Sequence, residues 1–79
     1  MSKLTSEQIE AARISCQELY NQERFESAVA AYQQQLNNIP NDPELLLGLG
    51  NALIALNRPE EALLHYEKIL KIYPNYEKD

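Results

Sequence analysis

The sequence predicts an all-α protein of four helices arranged as two helical hairpins. Its 79 residues include only two glycines and four prolines, and no alternating run of β-branched residues lies between them. Apolar residues instead recur at spacings of three and four in four successive segments. The chain also matches itself at an offset of 34 residues, with nine identities in 34 aligned pairs. A repeat of this length is typical of stacked helical hairpins.

The first predicted helix, α1, runs from about Ser6 to Asn21. Thr5 and Gln8 have the spacing of a capping box, in which each side chain bonds the backbone N–H of the other residue. The apolar face of this helix consists of Ile9, Ala12, Cys16, Leu19 and Tyr20. A polar segment over residues 21–24 then predicts a break before the second helix.

The second predicted helix, α2, runs from Phe25 to about Asn38. Its apolar positions step by three or four along the chain: Phe25, Ala28, Val29, Tyr32 and Leu36, with Ile39 following the helix. Pro40 ends the helix, because the residue before a proline avoids the helical conformation.

The third and fourth predicted helices, α3 and α4, cover about residues 43–56 and 59–73. Asp42 precedes a proline and an acidic residue, which is a typical helix start. Asn57 is suited to end α3, and Pro74 ends α4. Five residues follow Pro74, too few for another helix.

The composition of the chain disfavours several classes of partner. Seven basic and twelve acidic residues give a net charge of −5, which disfavours nucleic acids and acidic membranes as partners. The N-terminus lacks the apolar core of a signal peptide, and no apolar stretch is long enough to span a bilayer. The single cysteine, Cys16, fits a reducing compartment. We therefore expect a cytoplasmic protein formed by one domain over residues 1–79.

The two halves of the chain, about residues 9–42 and 43–76, carry the matched positions of the repeat. The second half has the pattern Leu46-x2-Leu49-Gly50-x2-Leu53, then Ala62-x3-Tyr66, then Pro74. The first half matches this pattern at Ala28, Tyr32 and Pro40. In these features the sequence resembles the tetratricopeptide repeat family. The resemblance implies two hairpins stacked as a short right-handed solenoid. On physical grounds alone, Gly50 and Ala62 permit close helix packing and Tyr66 fills the adjoining gap, and Cys16 and Ala28 are expected to permit the same close packing in the first half.

The resemblance also implies a concave groove that is lined by the first helix of each repeat and binds a peptide or helix of another protein. The groove residues expected from it are Glu10, Arg13, Gln17, Tyr20, Asn21, Glu44, Leu47, Asn51, Ile54 and Ala55. Helical spacing independently places the members from each helix on one face. The alternative is that each of these faces is only the solvated side of an amphipathic helix. The carboxylate clamp of one subfamily is not expected, because Gly48 stands where that clamp needs asparagine.

Catalysis and metal binding have little support in the sequence. His65 is the only histidine and is predicted to lie on the solvated surface of α4. Cys16 falls on the apolar face of α1, which favours a small buried hydrophobic residue over a reactive thiol. No phosphate-binding loop and no metal-ligand spacing is present. We therefore predict no enzyme activity, no metal site and no cofactor.

The fourth helix carries more apolar residues than one packing face requires. Leu63, Leu70, Ile72 and Tyr73 are the expected self-association residues, since the next unit of a longer array would cover such a surface. Self-association as a homodimer, docking on a partner protein and a longer repeat array all remain open. The sequence thus predicts a protein-interaction module. The alternative is a structural or oligomerisation unit, or a repeat fragment of a larger assembly protein.

Overall fold

A computed structural model of the chain describes residues 4–76 and confirms the all-α prediction. The four helices are α1 (Ser6–Asn21), α2 (Phe25–Asn38), α3 (Pro43–Ala55) and α4 (Pro59–Ile72). The last two helices each end one residue earlier than expected. The N-terminal residues 1–3 of the predicted domain, and residues 77–79 of the segment expected to be too short for a helix, lie outside the described residues.

Two helix starts have the predicted side-chain caps. The Thr5 hydroxyl accepts a hydrogen bond from the Gln8 backbone N–H at 3.1 Å, and the Thr5 N–H donates to Oε1 of Gln8 at 2.9 Å. At the start of α3, Oδ2 of Asp42 accepts from the Leu45 N–H at 3.2 Å. Each cap satisfies backbone donors that have no partner within their own helix.

The turns inside both hairpins have the same geometry, with one residue in the left-handed conformation. Glu23 after α1 and Asn57 after α3 each have φ = 63°. The N–H of the following residue, Arg24 or Arg58, donates to a carbonyl five residues earlier, at 3.0 and 2.8 Å respectively. This is a Schellman motif, which reverses the chain and satisfies free carbonyl groups. Asn57 was predicted to end α3, whereas a glutamate at the equivalent position gave no such signal.

The core is centred on α3, which packs against each of the other three helices. The side chains of Leu45, Leu49 and Leu53 are at most 1% exposed. Ala28 and Ala62 are completely buried, as expected for the small residues at the helix crossings. Because α3 is the shared element, both hairpins form one continuous core.

Both glycines lie at close contacts with tyrosine rings. A Cβ atom built on Gly50 would lie 2.5 Å from Cε1 of Tyr66, and one on Gly48 would lie 2.2 Å from Cζ of Tyr32. The first contact closes the second hairpin and confirms the predicted role of Gly50 and Tyr66. The second contact joins α2 to α3, and thus one repeat to the next. This role of Gly48 was not predicted from the sequence.

Candidate functional site

A concave cavity of about 350 Å³ lies between α1 and α3. It is lined by Glu10, Arg13, Ile14, Gln17 and Glu44. Four of these are expected groove residues, and the structure brings them together although Glu44 comes from the second repeat. Ile14 was not among the expected residues, yet its position one turn after Glu10 places it on the same face of α1.

Arg13 is held by an ion pair that belongs to the fold. Its Nε donates to Oδ2 of Asp42 at 3.0 Å, and its Nη2 donates to Oδ1 of the same carboxylate. Asp42 is buried, and Arg13 also contacts Glu10 at 3.3 Å. The hydrogen bond with Asp42 is the main cause that raises the pKa of Arg13 above its ordinary value. The positive charge at the cavity wall is therefore already neutralised by protein carboxylates.

The remaining expected groove residues do not line this cavity. Asn21 accepts a hydrogen bond from Nε2 of Gln17 at 3.0 Å. Tyr20 is half-buried, with its ring edge against Phe25 at a centroid separation of 5.3 Å. Oδ1 of Asn51 accepts from the Tyr66 hydroxyl at 2.6 Å. Ile54 and Ala55 are exposed on the last turn of α3.

Leu47, the last of the expected groove residues, lines a different cavity. This second cavity has a volume of about 200 Å³ and is almost entirely apolar. Its walls are formed by Leu47, Tyr66, Ile69, Leu70 and Tyr76. Leu47 was expected in the groove and Leu70 at a self-association surface, so the structure joins residues from two separately predicted surfaces.

The apolar residues of α4 do not form one continuous stripe. Leu63 and Leu70 are 54% and 55% exposed, and their separation of seven residues places them on one face of the helix. Ile72 lies about 160° around the helix from Leu70, at about 100° per residue. The Tyr73 hydroxyl donates to the Asn41 carbonyl at 3.0 Å, so this side chain contacts the first repeat. Leu64, which the sequence analysis did not single out, is the most exposed of these side chains at 64%.

The residues considered for chemistry have ordinary environments. Cys16 is 1% exposed, as predicted, and burial raises the pKa of its thiol. His65 is half-buried on α4 rather than fully solvated, and burial lowers its pKa, with the charge of Lys68 acting in the same direction. Within residues 4–76, no three His, Cys, Asp or Glu side chains converge as metal ligands. No helix in that range is both long and apolar enough to cross a membrane.

Comparison with known proteins gives one match. A family model described as tetratricopeptide repeat matches residues 17–77, which is most of the chain. No curated protein and no solved structure matches the chain significantly.

Proposed function

The chain belongs to the tetratricopeptide repeat family, and we propose that it is a non-enzymatic module that binds a peptide or helix of a partner protein between α1 and α3. Proteins of this family typically mediate protein–protein interactions. The observation that carries the proposal is the cavity that Glu10, Gln17 and Glu44 form across the two repeats. A concave surface built from two repeats is the usual geometry for receiving an extended ligand.

The charges around this cavity favour a basic partner segment. Glu10 and Glu44 are exposed carboxylates at its wall, and together with Asp42 these three carboxylates outnumber the single positive charge of Arg13, which bonds Asp42 and Glu10. The whole chain carries a net charge of −5. A lysine or arginine of the partner would meet an attractive potential here, and Ile14 offers an apolar contact beside it. Nucleic acid is disfavoured as a partner by the same charge.

Selection of peptides tests the groove directly. We expect a random peptide library displayed on phage to give basic peptides that bind the immobilised protein. Gln17→Arg should weaken their binding by about tenfold or more, because it adds bulk and positive charge inside the cavity. Gln34→Arg is the matched control, since Gln34 is also exposed on a helix but lies outside the cavity. Equal weakening by both substitutions would place the binding site elsewhere.

A second candidate function is self-association as a structural unit. The exposed Leu63 and Leu70 favour it, because an apolar surface of this kind is costly to leave in water. The two functions use different surfaces and are compatible.

For location we propose the cytoplasm, on the basis of the single buried thiol of Cys16. Fluorescence microscopy of a tagged chain in the source cell tests this location.

A further inference from the structure

The second hairpin has an uncovered apolar surface, which we call the α3–α4 face: Leu47 and Ile54 on α3, with Leu63 and Leu70 on α4. Leu47 and Leu70 line the same apolar cavity, which shows that the two helices contribute to one surface there. Since α3 and α4 are consecutive helices of a hairpin, Ile54 lies two turns along α3 and Leu63 two turns back along α4. The face therefore extends along the hairpin.

The first hairpin shows what such a surface accepts. At the offset of 34 residues, Leu63 corresponds to Val29, and Leu70 to Leu36. Val29 is only 7% exposed and Leu36 packs against the core, because α3 lies across α1 and α2. Leu63 at the equivalent position is 54% exposed. The α3–α4 face thus has the form of a surface that a helix covers, but in the second hairpin no described helix covers it.

Tyr76 strengthens this correspondence. It stands at the position equivalent to Asp42, and its hydroxyl donates to Oε2 of Glu44 at 2.9 Å. Its ring lines the cavity beside Leu47, just as Asp42 contacts Arg13, the residue equivalent to Leu47. Where the first hairpin has a partly buried ion pair, the second hairpin has two side chains that line an apolar cavity. This change makes its open end more hydrophobic than the equivalent end of the first hairpin.

We propose that a second copy of this chain covers the α3–α4 face, using its own α3–α4 face in a two-fold contact. The proposal rests on the self-association candidate above and specifies its surface and symmetry. Eight large hydrophobic side chains are exposed in residues 4–76, and three of them, Ile54, Leu63 and Leu70, belong to the α3–α4 face. A second copy presents the same apolar residues, so that each face can cover the other.

Head-to-tail stacking of copies is disfavoured by the sequence of α1. If α1 of a second copy packed on the second hairpin as α3 packs on the first, Ile14 would take the position of Gly48. A Cβ atom at Gly48 would already lie 2.2 Å from the ring of Tyr32, so an isoleucine there would collide with the equivalent Tyr66. Glu18 would occupy the position of Ala52, which is completely buried. A buried, unpaired carboxylate and a steric collision both oppose an open chain of copies.

The charges beside the α3–α4 face suit a two-fold dimer. Glu67 lies between Leu63 and Leu70 on α4, and Lys71 follows one turn later. Antiparallel helices related by a two-fold axis bring such opposite charges of the two copies towards each other. These charges select the orientation, while the leucines drive association.

Sedimentation equilibrium from micromolar to millimolar concentration tests the dimer. We expect the wild-type chain to approach twice its monomer mass of 9.1 kDa. Leu70→Glu should raise the dissociation constant by about a hundredfold, because it buries a carboxylate in the interface. Leu64→Glu is the matched control: Leu64 is more exposed than Leu70 but lies off the α3–α4 face, so the dissociation constant should not change.

Several outcomes would overturn the proposal. They are a monomeric wild-type chain over the whole range, species larger than a dimer, or equal effects of Leu64→Glu and Leu70→Glu. Leu63→Glu provides a second variant, and circular dichroism checks that each variant is helical. Dilution of the wild-type chain in NMR requires no variant: amide signals around Leu47 and Leu70 should shift, and unchanged signals there overturn the interface.

The peptide-binding groove and the dimer are tested independently of each other. Monomeric Leu70→Glu should still bind the selected basic peptides, and Gln17→Arg should still dimerise like the wild-type chain. A monomeric wild-type chain that binds those peptides would refute the dimer alone. A dimer from which no peptide can be selected would count against the groove and leave the α3–α4 face supported.

Discussion

Replacing Gly48 by alanine perturbs the contact between the two repeats. Alanine normally stabilises the interior of a helix relative to glycine by about 1 kcal/mol. Here the added Cβ would lie 2.2 Å from Cζ and 2.4 Å from the hydroxyl oxygen of Tyr32, far inside the usual carbon–carbon separation of about 3.5–4.0 Å. Tyr32 is 2% exposed, so its ring has no solvent space into which it can move. Either the ring or α3 must shift.

Overpacking of this kind costs about 1–3 kcal/mol. After the gain of about 1 kcal/mol from helix propensity, we expect Gly48→Ala to lower the free energy of unfolding by up to about 2 kcal/mol. Gly50→Ala is the comparison, since its Cβ would lie 2.5 Å from Cε1 of Tyr66. Tyr66 is only half-buried and can move further, at the expense of its hydrogen bond with Asn51. The loss at Gly50 should thus be the smaller of the two.

Urea denaturation followed by far-UV circular dichroism, at one fixed protein concentration, measures both substitutions. A double-mutant cycle with Tyr32→Leu identifies the cause: Gly48→Ala should cost less once the ring is absent, with a coupling energy of about 1 kcal/mol or more. A Gly48→Ala variant that is more stable than the wild-type chain would refute the reasoning, because helix propensity would then outweigh the contact.

Four further substitutions or conditions test the fold. Ala62→Leu should lower the urea midpoint through a loss of about 1–3 kcal/mol, because Ala62 is completely buried; an unchanged midpoint would show that the repeat register is wrong. Arg13→Met should cost about 1–2 kcal/mol, less than a fully buried pair, since Arg13 is partly exposed while Asp42 is not. In a double-mutant cycle with Asp42→Asn, measured by the same urea denaturation, the loss in the double variant should be smaller than the sum of the two single losses. Glu23→Gly should raise the free energy of unfolding by about 0.5–1 kcal/mol by relieving the positive φ angle, and a loss would contradict the turn geometry. Burial raises the pKa of Tyr32 from 10.0 to about 12, so the folded state retains a proton that the unfolded state releases; stability should fall as the pH rises from 10 towards 12, and Tyr32→Phe should reduce this fall.

The helices were predictable because their signals are local. Thr5 with Gln8, Asp42 and Pro59 mark helix starts through interactions within one turn, and each lies where expected. The Schellman turn at Glu23 was not predicted, because glutamate is rarely found at positive φ and the turn there is required by hairpin closure. The one-residue differences at the ends of α3 and α4 are typical of fraying last turns.

The groove was partly predictable for a different reason. Helical periodicity identifies which residues of α1 share a face, and it placed Glu10, Arg13 and Gln17 together. Periodicity cannot show which of those side chains is already engaged by another helix. The buried carboxylate of Asp42 binds Arg13 across 29 residues of sequence. Arg13 therefore positions the second repeat instead of remaining free for a ligand.

By itself the sequence determined the fold class, the four helices, the repeat and the small residues at the helix crossings, because propensity, caps and periodicity act over at most a few turns. The tertiary structure alone decided how the surfaces combine. It places Leu47 beside Leu70, it places Tyr20 and Asn51 outside the cavity, and it packs the ring of Tyr32 against Gly48. These outcomes depend on the angle and register at which one hairpin packs on the next. That geometry is set by contacts between residues distant in the chain, for which a single sequence carries no local signal.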